Sequence, residues 1–483
     1  MDGARIAQVI QEHGVKTQFG SQANMGCNDG LFTLRTALST RRYHNQPTWA
    51  LFVDLVKAFD TAHHELLFNL LERYGAPKEL VKAIRLMYDH MHVKLTIGKE
   101  ERNIPYTIGV QQGDNMAPIL FLFIMQAFSE ILERKWTSEW DMEPPDFRFL
   151  PTKNVERGRL LGQNAKTSGT PFDFFYQLYV DDGVFLFTNK DDMTRGAGLI
   201  YDLFAELGLK MHIGRNGSQS KTEAVFFPTS LQNDKYAEIN MDEKFLVKDG
   251  YITLTRHFKY LGAWISDTLQ DDYELDIRIK KARAQIGSLK PFFQCPFIEL
   301  PTKCQVYKAI PINTLLWGCE SWSLTESMRQ QLEVFHHKSL RHILGVNMFL
   351  VETFQLTNEI IRHWCCNMPC ILDIITKRQL DWIGQVARMP ESKVQKQLCM
   401  SWTHHPRKVG RPQISPRTTY AQAIHAIIPL CDPAQGTAKT WVTVAKDKVD
   451  WRSKIWEWWK WNTTKNLYLN LPSMEFMDAL ISM

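Results

Sequence analysis

No run of about 18 uncharged apolar residues occurs anywhere in the 483-residue sequence, so a membrane-spanning helix is not expected. The opening residues, MDGARIAQVIQEHG, are amphipathic and lack the apolar core of a secretory signal. Long internal repeats are missing, which sets aside solenoids and propellers. A disulfide framework is missing too. The nine cysteines are odd in number and irregularly spaced, as free thiols in a reducing intracellular compartment would be. Nor is there a strong charge bias: 57 Lys and Arg against 52 Asp and Glu leave a net charge of +5. That balance permits a nucleic-acid partner without arguing for one, so the placement of charge has to decide. What is present is an ordinary folded composition, 44% hydrophobic and 23% charged. The length allows roughly two to four domains.

The first part of the chain mixes strand and helix patterns. WALFVDLVKAFD (49–60) opens with an apolar run suited to a buried strand, interrupted by Asp54. HHELLFNLLERYG and PKELVKAIRLMYDHM read as helices, with Gly75 as a stop and Pro77 in a first turn. HVKLTIG and IPYTIGV read as strands around the charged turn KEERN, and MAPILFLFIMQAFSEILERK as a long apolar helix. A polar insertion is expected over about 137–171. The strands FDFFYQLYV and GVFLFTN follow, with Asp181 and Asp182 at the tight turn between them. This order fits an α+β fold: an antiparallel, ferredoxin-like βαββαβ sheet with helices on one face. From about residue 275 the pattern is mainly helical, and YELDIRIKKARAQIGSLKPFF carries Arg278, Lys280, Lys281 and Arg283 on its polar side.

Asp54, Asp181 and Asp182 each interrupt an apolar stretch of one expected sheet. Buried carboxylates are costly unless they are paired or bound to metal. Three converging oxygen donors suit a hard divalent ion such as Mg²⁺. Two such ions form the clamp used for in-line phosphoryl transfer. The plainer alternative is that each Asp caps a turn or faces solvent.

The segments FVDLVKAFD, GVQQGDNMAPILF, YVDD, GLKMHIGRNGSQSKTEAVFF and FKYLGAWIS, in this order, resemble the palm motifs of reverse transcriptases, and in particular those of non-LTR (LINE-type) retrotransposons. LLWGCESWSLTESMRQQLEVFHHKSLRHILGV and KRQLDWIGQVARM resemble the segments that follow the polymerase in such elements. The resemblance implies a right-hand polymerase: partial fingers (1–48), palm (49–270, with the insertion), helical thumb and connection (271–345), and a helical, basic and Trp-rich C-terminal region (346–483). It implies an RNA-directed DNA polymerase with an RNA template, a DNA primer end and dNTPs as partners, resident in the nucleus. Asp54, Asp181 and Asp182 would hold two Mg²⁺ ions, with Mn²⁺ as a substitute. Phe59 would exclude a ribose 2′-hydroxyl, Gln112 and Gly113 would sit beside the nucleotide, and Lys221 would lie near its phosphates. Arg278, Lys280, Lys281 and Arg283 would track the nucleic-acid backbone. A core Phe, a turn before a helix, a solvated Lys and a solvated helix face are the respective plainer readings.

The resemblance has gaps. The family's basic finger hairpin is absent, FGSQANMGCNDGLF stands where a Gly-Phe-Arg-Pro-like run is usual, and GDNMAP replaces a proline-rich run. An N-terminally truncated element without an endonuclease domain is therefore expected, and a remnant that only binds nucleic acid is the alternative reading. An RNA-dependent RNA polymerase is a further alternative, opposed by Phe59 and YVDD. Near the C-terminus, His363, Cys366, Cys370, Cys399, His404 and His405 invite a zinc reading against one of buried free cysteines. RKVGRP (407–412) resembles a short minor-groove-binding core. WRSKIWEWWKW interleaves Trp with cations, as a base-stacking segment or a packed helix would.

Overall fold

The computed structural model describes residues 10, 14–89, 91–111, 113–149, 169–229, 242–403, 405, 415–428 and 441–464. The chain divides into two units. The first comprises residues 1–149, 165–261 and 401–409; the second comprises 150–164, 262–400 and 410–483.

The first unit is built on strand β1 (Thr48–Val53), whose six residues are all buried. Such a strand needs a partner on each edge and cover on each face. β7 (Asp182–Phe187) and β8 (Glu223–Phe227) flank it, both antiparallel to it, and β6 (Tyr176–Tyr179) pairs with β7. The order β6-β7-β1-β8 is that of a ferredoxin-like βαββαβ sheet. Two further strands, β10 (Gly250–Leu254) and β9 (Lys244–Val247), extend it beyond β8. Trp49, Leu51 and Val53 point into a core shared with the helices Ala117–Ser138 and Lys190–Glu206. Those two helices meet where Phe128 stacks on Phe204 at 4.1 Å. On the opposite face Phe52 stacks on Phe258 at 4.2 Å. The fold is thus the expected α+β palm.

Several details differ from the sequence reading. The FDFFYQLYV stretch is not one strand. It breaks into β5 (Thr170–Asp173) and β6, because β5 pairs with β4 (Asp146–Phe149) in a separate small sheet that the short strand Ser401–Trp402 joins. Part of the expected insertion is therefore sheet and helix, and residues 150–168 lie outside the described residues. Likewise β3 (Glu100–Pro105) starts inside the expected turn: β2 (His92–Ile97) pairs with it directly, and Gly98, at φ +65°, makes the reversal. The division between units falls after Leu261 rather than at 270, and Ser401–Trp402 belongs to the first unit rather than to the C-terminal region.

The second unit is helical. Its core gathers Leu275, Ile279, Tyr307, Trp322, Leu332 and Trp364. The helix Glu326–Leu344 starts on Thr325, whose hydroxyl accepts from the Met328 amide, and stops at left-handed Gly345. In the Trp-rich segment Trp451 is 1% exposed, and its indole N–H donates to the Leu380 carbonyl at 3.0 Å. A side chain at Gly384 would collide with that indole. Trp456 and Trp461 of the same helix, Lys448–Thr464, are exposed.

Candidate active site

Asp54 follows the last residue of β1, and Asp182 is the first residue of β7. The register pairs Val53 with Gly183 and Phe52 with Val184, so Asp54 and Asp182 end neighbouring strands at the same edge. Asp181 lies in the two-residue turn between β6 and β7, with Tyr179 facing Asp182 across it. The other turn residue, Val180, has φ +59°, a left-handed conformation that a β-branched residue rarely adopts. Such strain collects at functional sites.

The electrostatics of the three aspartates are mutual. Asp182 is exposed at the strand end, yet protein atoms crowd its carboxyl, and burial, then Asp181 and Asp54, push its pKa up to about 6. The Asp181 pKa is also raised, by desolvation first and by Asp54 as well. Against this negative charge stands Lys221, whose ammonium is 4.0 Å from the Asp54 carboxylate.

Asp54 is braced through residues that the sequence did not single out. Its backbone N–H donates to the Thr222 hydroxyl at 3.2 Å, and its carbonyl accepts from the His212 N–H at 2.8 Å. His212 Nδ1 in turn accepts the Lys221 amide at 3.2 Å. One His and one Thr therefore tie the β1 terminus to the loop that carries the lysine. The Thr next to Lys221 in SKTEAVFF was the available signal; nothing in the sequence pattern marked His212.

The remaining predicted residues scatter. Phe59 lies on the short 3₁₀ turn Ala58–Thr61, partly buried and stacked on Phe121 at 4.9 Å. Gly113 has φ +93° and open space where a side chain would begin. Gln112 lies outside the described residues. In the second unit Arg278 departs from expectation. It is 5% exposed, its guanidinium pairs with Glu274 at 2.5 Å and donates to the Gly262 carbonyl, so it does not belong to an exposed basic track. The reason is register: Arg278 falls on the same buried face as Leu275, Ile279 and Ala282. Lys280, Lys281 and Arg283 are exposed. Arg283 lines a cleft of about 410 Å³ with Lys290, Lys338 and His342 over Ile286 and Phe335. Lys338 and His342 lie four apart on one face of the helix Glu326–Leu344.

The donor set fits a hard divalent ion: oxygen ligands that share negative charge. Among the described residues, however, no three His, Cys, Asp or Glu side chains are gathered tightly enough to enclose an ion, at this site or elsewhere. For zinc, Cys366 is exposed, the Cys370 thiol donates to Glu333, and His363 bonds Asn367. His404 and RKVGRP lie outside the described residues. Among those that are described, the zinc reading finds no site, and the cysteines are free.

A palm sheet presenting three aspartates at one edge defines a nucleotidyltransferase-type polymerase fold. The comparisons make the class specific. The family model "Reverse transcriptase (RNA-dependent DNA polymerase)" matches residues 4–265, more than half of the chain. The chain belongs to the reverse transcriptase family, whose members use divalent metal ions. It is similar to the Retrovirus-related Pol polyprotein from type-2 retrotransposable element R2DM of Drosophila melanogaster, 31% identical over 101 residues, covering 21% of this chain and 10% of that protein. It is also similar to the Pol polyprotein from type-1 retrotransposable element R2 of Nasonia vitripennis, 28% identical over 125 residues, 25% of this chain and 12% of that protein. The matched segments thus span only about a tenth of these relatives. Among solved structures, telomerase from Candida Tropicalis with a TWJ fragment of telomeric RNA aligns with 82% of this chain and 55% of that one, at 11% identity and a TM-score of 0.39. That score is too low for an element-by-element comparison.

Proposed function

We propose that this chain is the polymerase part of a non-LTR retrotransposon protein and extends a DNA primer on an RNA template. The observation that carries the reading is the carboxylate arrangement. Asp181 in a strained hairpin turn and Asp182 at the start of the next strand, both with raised pKa values, lie beside Asp54 at one sheet edge of a chain in the reverse transcriptase family. Asp54, Asp181 and Asp182 would hold two Mg²⁺ ions, or Mn²⁺ in their place, which supply activation of the primer 3′-hydroxyl and stabilisation of the leaving pyrophosphate. The chain's own residues do the rest. Lys221, mostly exposed beside Asp54, would neutralise charge on the departing phosphates. Phe59, held by Phe121, offers a rigid ring against a ribose 2′-hydroxyl. Gly113 leaves room for a nucleotide to approach the backbone. In the helical unit, the cleft lined by Arg283, Lys290 and Lys338, with exposed Lys280 and Lys281 on the same helix as Arg283, would supply the cations that phosphate contacts require.

Primer extension on poly(rA)–oligo(dT) with Mg²⁺ tests the reading. Wild type is expected to incorporate dTTP, and Asp181→Ala to lose at least about a thousandfold in rate while binding the template–primer normally. Wild-type binding without incorporation would leave only the nucleic-acid-binding alternative. Incorporation by Asp181→Ala would remove that aspartate from the site.

A further inference from the structure

The turn that carries Asp181 is held from outside its own hairpin. Residues 17–19 run beside β6: the Phe19 amide donates to the Leu178 carbonyl at 2.9 Å, and the Leu178 amide donates to the Thr17 carbonyl at 2.9 Å. Between these two bonds the Gln18 side chain, 4% exposed, reaches the turn. Its amide oxygen accepts the Val180 N–H at 2.9 Å and the Gly20 N–H at 2.9 Å. Its amide nitrogen donates to the Val180 carbonyl at 3.4 Å. Two backbone N–H groups converge on one atom, which fixes that atom as the oxygen. Both polar backbone groups of Val180 are therefore satisfied by one side chain that lies 162 residues away in sequence.

This matters because Val180 is the wrong residue for its conformation. The first position of a two-residue hairpin turn with positive φ ordinarily takes glycine, and valine is among the least tolerant substitutes. Without an external hold the turn would relax, and the directions of Asp181 and Asp182 would change with it. The approach is also close: a side chain at Gly20 would start 2.5 Å from the Val180 backbone nitrogen and from its Cγ2.

We propose that Gln18 is a positioning residue for the carboxylate pair, clamping the backbone of Val180 in its left-handed conformation so that Asp181 and Asp182 hold their places opposite Asp54. Gly20 is the second part of the device, since only a residue without a side chain lets the clamp segment lie against the turn. The effect on catalysis rests on the polymerase reading above. The clamp itself does not.

The test uses Gln18→Met, which keeps the side-chain volume and loses both the acceptor and the donor. Hydrogen exchange of the Val180 amide is expected to speed up in Gln18→Met, and Gly20→Ala is expected to do the same by pressing on the turn. Wild-type exchange in both variants overturns the clamp. In single-turnover dTTP incorporation on poly(rA)–oligo(dT), Gln18→Met is expected to be slower by roughly tenfold to a hundredfold with unchanged template–primer affinity. Adding Val180→Gly should recover most of that rate, because glycine takes positive φ without help. A residue that merely packs the fold would not be rescued in this way, so a Gln18→Met/Val180→Gly variant as slow as Gln18→Met overturns the proposal. If wild type incorporates nothing, the polymerase reading falls, and the exchange measurement still decides the clamp.

Discussion

The acids at the end of the palm sheet and a buried polar set in the helical unit are treated in opposite ways. At one end of the palm sheet three acids are raised: Asp182 is pushed up to about 6, the Asp181 pKa is raised, and burial alone lifts Glu223, on β8 opposite Phe52, to about 7. In the helical unit, one set of buried polar groups is matched. Glu274 takes the Arg278 guanidinium and the Trp264 amide, and Asp271 takes the Ser323 amide at 2.8 Å. His336, held near a pKa of 3 by burial and by His337, is a neutral ring. Its Nε2–H donates to the Pro369 carbonyl at 3.1 Å, and its Nδ1 accepts from the Tyr307 hydroxyl at 3.0 Å. Satisfied groups specify a structure, whereas unsatisfied acids mark a place where something else is bound.

The largest test of this contrast is in the helical unit. Arg278→Ala strands Glu274, which is 1% exposed, beside the Trp264 amide alone. The expected cost is about 3–5 kcal/mol in chemical denaturation. Replacing both members, as Glu274→Leu/Arg278→Met, should recover most of it, because the penalty lies in the orphaned charge. A single variant as stable as wild type would show that Arg278 is a surface residue after all, as its sequence pattern first implied.

That misassignment shows what the sequence carries. The palm was legible because strand period, Gly and Pro punctuation and the acidic interruptions all pointed the same way, down to Asp181 in the hairpin turn. Arg278 was not, because a helix written D-I-R-I-K-K-A-R has cations on most sides, and burial of one depends on a glutamate a turn earlier and a carbonyl at Gly262. The β5–β6 break was hidden for a related reason: FDFFYQLYV is apolar apart from Asp173 and Gln177, and only pairing with β4 shows where one sheet ends. The bracing by His212 and Gln18 was illegible because it joins segments far apart in sequence through backbone groups, on which composition and period are silent.

A smaller effect tests the palm side. An acid whose folded pKa lies above its unfolded value favours the folded state when protonated, so its ionisation opposes folding. For Asp182 the window runs from its ordinary 3.8 to about 6, and for Glu223 from 4.5 to about 7. Stability contributed by these groups is therefore highest at the acid end and declines as pH rises through about 4 to 7. In metal-free buffer, Asp182→Asn should flatten the lower part of the Tm–pH profile, and Glu223→Gln the upper part, each by roughly 2 °C. Mg²⁺ added at pH 8 should raise the wild-type Tm and leave Asp182→Asn nearly unmoved. Identical profiles for wild type and both variants would erase the difference between the units.

The smallest effect separates two kinds of surface lysine within the helical unit. Lys338 lines the basic cleft and has no carboxylate partner among the described residues, while Lys377 pairs with Asp381 at 2.8 Å. A cation that is already paired has less to offer a phosphate, and a cation that is free releases a counterion when it makes the contact. In template–primer binding, Lys338→Ala should reduce the slope of log affinity against log salt by about 0.9, with no change in Tm, and Lys377→Ala should leave the slope alone. Equal slopes in the two variants would mean that the cleft is not on the nucleic-acid path. The exposed cations of the cleft would then be solvated surface, and the buried Glu274–Arg278 pair would remain the organised charge of the helix that carries Arg283.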